Sequence, residues 1–136
     1  MQLSTVDGNG HPWICSVWFA SDDELNIYWF SSNTREHSKH LNSNSNIAAA
    51  MVLPQTPSDI PRGLQLSGTA VELTQQNDID KAKSLYVGRI FEEDTVEQLM
   101  ANNTKPHKFY KITPNKFVLF DAVNFPDESR REYLVS

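Results

Sequence analysis

One cysteine, five glycines and no long apolar run already exclude several classes of protein. A lone Cys15 rules out an intramolecular disulfide and any zinc site built on several cysteines. No uninterrupted apolar stretch approaches the roughly 20 residues that a spanning helix needs, so no membrane segment is expected. The opening MQLSTVDGNG has no basic leader followed by an apolar segment, so no secretory signal is read and a cytoplasmic protein is expected. Cations are also scarce. Twelve Lys and Arg against 17 Asp and Glu leave a net charge of −5, which repels a phosphate backbone unless a basic stripe compensates. Nucleic acid is therefore not an expected partner. His11, His37, His40 and His107 form no HExxH pattern, and His37 with His40 finds no third ligand by spacing, so no metal site is expected.

What remains is a chain of 136 residues, 39% hydrophobic and 21% charged, which suits one globular domain with a real core. Asp7-Gly8-Asn9-Gly10 and Ser21-Asp22-Asp23-Glu24 read as hairpin turns between runs rich in Val, Ile, Trp, Tyr and Phe. The chain thus begins as an antiparallel meander. In Leu25–Ser31, period-two geometry places Leu25, Ile27 and Trp29 on one face and Asn26, Tyr28 and Phe30 on the other. Trp13–Ala20 is apolar almost throughout, which predicts burial on both faces, with barrel interior on one side and a partner or ligand on the other.

The most informative stretch is Leu25 to Leu41, in which an aromatic strand passes through Ser31-Ser32-Asn33-Thr34 into a basic helix. Asn33 and Thr34 are both candidate N-caps of a two-turn helix. Hydroxyls, free N–H groups and the cations Arg35, His37 and Lys39 together suggest a cradle for a flat, phosphorylated ligand. Farther on, Ile47–Leu53 reads as a buried strand. Residues 54–61 hold three prolines and read as a surface loop, and Arg62–Leu73 reads as a long strand. Asp78–Ile90 and a segment capped by Asp94 show helical spacing. Lys108–Ile112 and Lys116–Val123 read as a closing hairpin around Pro114-Asn115, leaving 124–136 as a charged tail. The total is six or seven strands with short helices, an α+β, mainly β, antiparallel barrel.

Four blocks, LSTVDGNGHPWICSVWF, LNIYWFSSNTREHSKHL, RGLQLSGTAVEL and FYKITPNKFVLF, together resemble the pyridoxamine 5′-phosphate oxidase-like family of FMN-binding split barrels. The resemblance implies one split-barrel domain over 1–136, with 124–136 a tail or interface segment. It also implies a homodimer with FMN in a groove at the subunit interface. By position, Ser16, Val17 and Trp18 would pass the flavin ring and Phe30 and Ser31 would flank the ring and ribityl chain. Arg35, His37 and Lys39 would hold the phosphate, and Phe120 would be supplied to the neighbouring subunit's flavin. The chain departs from the oxidases proper: where they carry cations it has Cys15, Ala20 and Glu36, and His37 replaces a lysine. Their basic C-terminal substrate motif is not recognisable in 130–134.

The implied activity is that of an oxidoreductase acting on a small molecule or reduced nicotinamide. Rival readings are a flavin carrier or sensor without turnover, a relative that binds haem or a deazaflavin, and a structural protein without ligand. No protein acid or base is assigned, because hydride chemistry belongs to the isoalloxazine. Cys15 lacks a cationic setting and reads as a small buried hydrophobe.

Overall fold

The computed structural model describes residues 1–136 and contains, in chain order, β1 (Gln2–Val6), β2 (Pro12–Ser16), β3 (Phe19–Ser21), β4 (Ile27–Ser32), α1 (Glu36–His40), β5 (Asn46–Val52), β6 (Arg62–Glu72), α2 (Gln76–Tyr86), α3 (Glu93–Met100), β7 (His107–Asp121) and β8 (Arg130–Leu134). All strand pairings are antiparallel, in the order β2-β1-β5-β6-β7-β4-β3, with β8 paired to the distal half of β7. The two ends of this order, β2 and β3, are separated along the chain only by Val17 and Trp18. One run of chain therefore pairs first with β1 and then with β4, and curls the sheet into a split barrel.

The alternation expected of Leu25–Ser31 decides where the cores lie. Ile27 and Trp29 point into the barrel, where Leu3, Ile47, Leu66, Tyr110 and Ile112 surround them. Tyr28 and Phe30 point outward and are covered by Ala82 and Tyr86 of α2 and Val96 of α3, with Phe109 beside them. Leu25 does not join the first face. It sits in the turn at φ 66° and is exposed.

That turn is held by Asp22, whose carboxylate accepts hydrogen bonds from the backbone N–H groups of Glu24 and Asn26, from Asn26 Nδ2 and from the Tyr28 hydroxyl. Lys81 of α2 reaches the same carboxylate at 2.7 Å. Burial alone would raise the Asp22 pKa, but hydrogen bonds from Lys81, Asn26 and Tyr28 outweigh it and hold the carboxyl well below the usual range.

Three expectations are corrected. Pro114-Asn115 is no hairpin turn, because β7 runs straight through it. The register with β6 shifts between Ser67 and Gly68, Asn115 becomes the extra residue of a bulge, and its Oδ1 accepts a 2.7 Å bond from the Ser67 hydroxyl. A bulge is a place where a paired strand tolerates a proline. Secondly, 124–136 is no mere tail, since β8 folds back on β7 and brings the sheet to eight strands. Asp121 closes the intervening turn by accepting the N–H groups of Val123 and Asn124, and Glu132 on β8 pairs with Lys116 on β7. Thirdly, α1 is one short turn whose N-cap is Arg35, without a side-chain cap. Ser32 takes the turn instead: its Oγ accepts the Thr34 N–H, and its carbonyl accepts the Ser38 hydroxyl. α3 is likewise capped at Glu92, two residues before the expected Asp94.

Gly68 lies against β7 so closely that an added Cβ would overlap the Thr113 carbonyl and stand 2.8 Å from Pro114 Cα. Gly68→Ala is expected to lower unfolding stability by about 1–3 kcal/mol, the usual cost of overpacking. Urea denaturation of the two proteins checks this, and an unchanged midpoint would refute the close approach.

Candidate functional site

The seam between β2 and β3 opens onto a groove of about 520 Å³. Its walls come from Trp13, Cys15, Ser16, Val17 and Trp18 on the seam, Phe30 and Ser31 at the end of β4, and Thr34, Arg35, Glu36 and His37 at the entry to α1. Tyr86, Phe91 and His107 complete it. The structure thus gathers Ser16, Val17, Trp18, Phe30, Ser31, Arg35 and His37 into one place. Lys39 is not among them; its Nζ is turned to Glu36 at 3.0 Å. Phe120 also lies elsewhere, its ring packed over Gly63, where a Cβ would come within 2.6 Å of it.

Trp18 is 72% exposed, so its indole is free to lie on a flat ligand, whereas Trp29 is wholly buried in the barrel. The outer face of Trp13–Ser16, expected to be covered, is open in the single chain: Trp13 and Ile14 are exposed. The Tyr86 hydroxyl donates to the Trp18 carbonyl at 3.3 Å, and burial pushes that phenol up to about 12, so it remains a donor. Burial likewise raises the Cys15 thiol, which removes it as a nucleophile.

His37 is buried, and its Nε2 lies 2.8 Å from the Ser31 hydroxyl. Burial, then the charge of Arg35 and of His40, lowers its pKa and keeps the imidazole neutral. His107, at the start of β7 and opposite Ser32 in register, has its Nδ1 buried without a hydrogen-bond partner; burial and the nearby Arg35 lower its pKa as well. Arg35 itself makes no ion pair. Sequence reasoning missed Tyr86, Phe91 and His107, since the β4–β7 register and the packing of α2 bring them in from far along the chain. A shallower depression of about 480 Å³ on the outer sheet face has small and amide side chains such as Ala48, Ala50 and Gln65, and the cations at its rim, Lys116 and Arg130, are both paired with Glu132. The groove is therefore the candidate site. It offers aromatic faces, neutral hydroxyls and imidazoles, and a single free cation.

The family model for pyridoxamine 5′-phosphate oxidase matches residues 1–120. The chain belongs to this family. Among solved structures, a haem-binding protein from Mycobacterium smegmatis superposes with a TM-score of 0.77 at 14% identity, over 98% of this chain and 51% of that one. The present chain thus spans about half the length of that relative. The haem storage protein HutZ from Vibrio cholerae superposes with a TM-score of 0.70 at 17% identity, over 83% and 79% of the two chains. A pyridoxamine 5′-phosphate oxidase-related, FMN-binding protein from Nostoc punctiforme gives 0.67 at 11% identity, over 99% and 85%. These likenesses show the split-barrel fold. Curated proteins give no match to the sequence. No helix of this family member is long and apolar enough to cross a membrane.

The buried imidazoles have a consequence for stability. A histidine whose folded pKa lies below its unfolded value binds fewer protons folded than unfolded, so its contribution is present above the unfolded pKa of about 6.5 and is lost as pH falls from there through the lower folded value. Between pH 7.5 and 5 the urea midpoint is expected to fall, and His37→Gln to flatten that fall, which equilibrium denaturation at several pH values checks. An equally steep fall in the variant would contradict the assignment.

Proposed function

We propose that the groove binds FMN and that the protein works as a cytoplasmic homodimeric oxidoreductase on a small molecule or reduced nicotinamide. One observation carries this reading: in a member of this family, the seam aromatics, Phe30, Ser31 and Arg35 converge on one groove whose volume suits a cofactor. The residues fit the group at its ring end. Trp18, Phe30 and Phe91 offer apolar faces, and the Ser31 hydroxyl, held by His37, offers a fixed polar contact. At the phosphate end only Arg35 stands free.

FMN, when bound, supplies the hydride and electron chemistry. The chain positions it: Tyr86 fixes the backbone at Trp18, His37 orients Ser31, and the neutral imidazoles neither repel Arg35 nor carry charge into the groove. The exposed Trp13 and Ile14 and the open edge at β8 supply apolar surface for a second copy, from which Phe120 would be contributed. Haem is the second reading. It is favoured by His37 and His107, both groove imidazoles whose pKa is lowered chiefly by burial, since a neutral imidazole is the form that binds iron, and by the haem-binding relatives.

The visible spectrum of the purified protein, followed by titration with FMN, tests the proposal. Saturable binding with perturbed flavin bands is expected. Their absence would sink the flavin reading, and a Soret band would select haem. Anaerobic mixing of the flavin-loaded protein with reduced nicotinamide is expected to bleach the flavin, and no bleaching would leave a carrier. Because Trp18 is exposed, Trp18→Ala is expected to leave the circular dichroism unchanged while weakening FMN binding about tenfold, the scale of one lost aromatic contact. Unchanged affinity would remove Trp18 from the site.

A further inference from the structure

The charged side chains that line the groove are Arg35 and Glu36, adjacent in sequence and opposite in sign. Their formal sum is zero. Most of the other side chains near the helix entry that a phosphate could use are already engaged. Lys39 Nζ is held by Glu36 at 3.0 Å, outside the groove, and His40 lies 4.0 Å from the same carboxylate with its Nδ1 on the Thr5 hydroxyl. His37 is turned to Ser31 at 2.8 Å. Thr34 Oγ1 is bonded to Ser32 Oγ at 2.9 Å. The helix that follows is too short, at five residues, to concentrate a useful dipole. A phosphate dianion gains strongly from several charge-assisted donors in matched geometry, and here it would meet one exposed arginine beside a carboxylate.

From this charge balance we infer that the groove recognises a flavin by its ring and ribityl chain and is indifferent to the 5′-phosphate, so that riboflavin and FMN bind with similar affinity. The inference rests on the flavin reading above and narrows its ligand class: an uncharged ribityl flavin is as good an occupant as its phosphate ester. Glu36 is the residue that sets this indifference, because it both places a negative charge at the groove and holds Lys39 away from it. Arg35 is the one cation of the lining and is exposed, so its attraction for a phosphate is weak.

Fluorescence titration of the full chain with riboflavin and, separately, with FMN reads the ratio of the two dissociation constants. A ratio within about fivefold, the worth of one solvent-exposed ion pair, is expected, with little change in the FMN value between low and high salt. FMN binding more than tenfold tighter than riboflavin overturns the inference and leaves the flavin reading standing. Saturation by neither compound overturns both. Glu36→Gln is expected to tighten FMN about fivefold with riboflavin unchanged, and Arg35→Ala to weaken FMN alone. Both sites are exposed, and circular dichroism checks that the variants fold. A Glu36→Gln protein with the wild-type ratio would show that the Arg35–Glu36 balance does not set ligand choice, and would likewise overturn the inference.

Discussion

Burial of both faces of β4 is the constraint from which the rest of the structure follows. A strand with Ile27 and Trp29 on one side and Tyr28 and Phe30 on the other needs two separate apolar surroundings, and the chain provides a barrel interior for the first pair and a helical cover for the second. β4 is thereby fixed at the boundary between the two cores. Its last residues, Phe30 and Ser31, emerge where the barrel seam opens, with the entry to α1 immediately beyond. The groove is placed by that geometry and not by any loop of its own.

Polarity inside the groove follows from the same packing. His37 is buried because α1 closes over the end of β4, and its neutrality is the result of that burial reinforced by Arg35. The Asp22 carboxylate, by contrast, keeps its charge despite burial, because Lys81, Asn26 and Tyr28 all donate to it. Two ionisable groups near the ends of one strand thus take opposite states for a plain reason: one has donors within reach and the other has only a hydroxyl.

Much of this was legible in the residues. The Asp7-Gly8-Asn9-Gly10 turn, the period-two pattern of β4 and the proline-rich break after β5 all carry local signals, and the family resemblance assembled Ser16 through His37 into a site, whereas the break at Val17-Trp18 lies inside a run that reads as one continuous strand. What escaped depends on partners distant in sequence. Pro114 reads as a breaker until Gly68 is known to face it across a bulge. β8 hid behind Arg130-Arg131-Glu132, whose charges suit a solvated tail but pair with β7 and with one another. Lys39 reads as a phosphate ligand until the carboxylate one helical turn away, Glu36, is seen to hold its ammonium. His107 could not be placed without the β4–β7 register.

The two-residue link between β2 and β3 also bears on how such a protein changes over time. Val17 and Trp18 join the two ends of the sheet, yet the Trp18 side chain lies largely outside the barrel and contributes little to its packing. Replacing it alters what the groove can hold while the ladders on either side stay intact. The barrel is thus a constant background against which the seam is free to vary, and structures that share only 11% to 17% of their residues with this chain keep its shape.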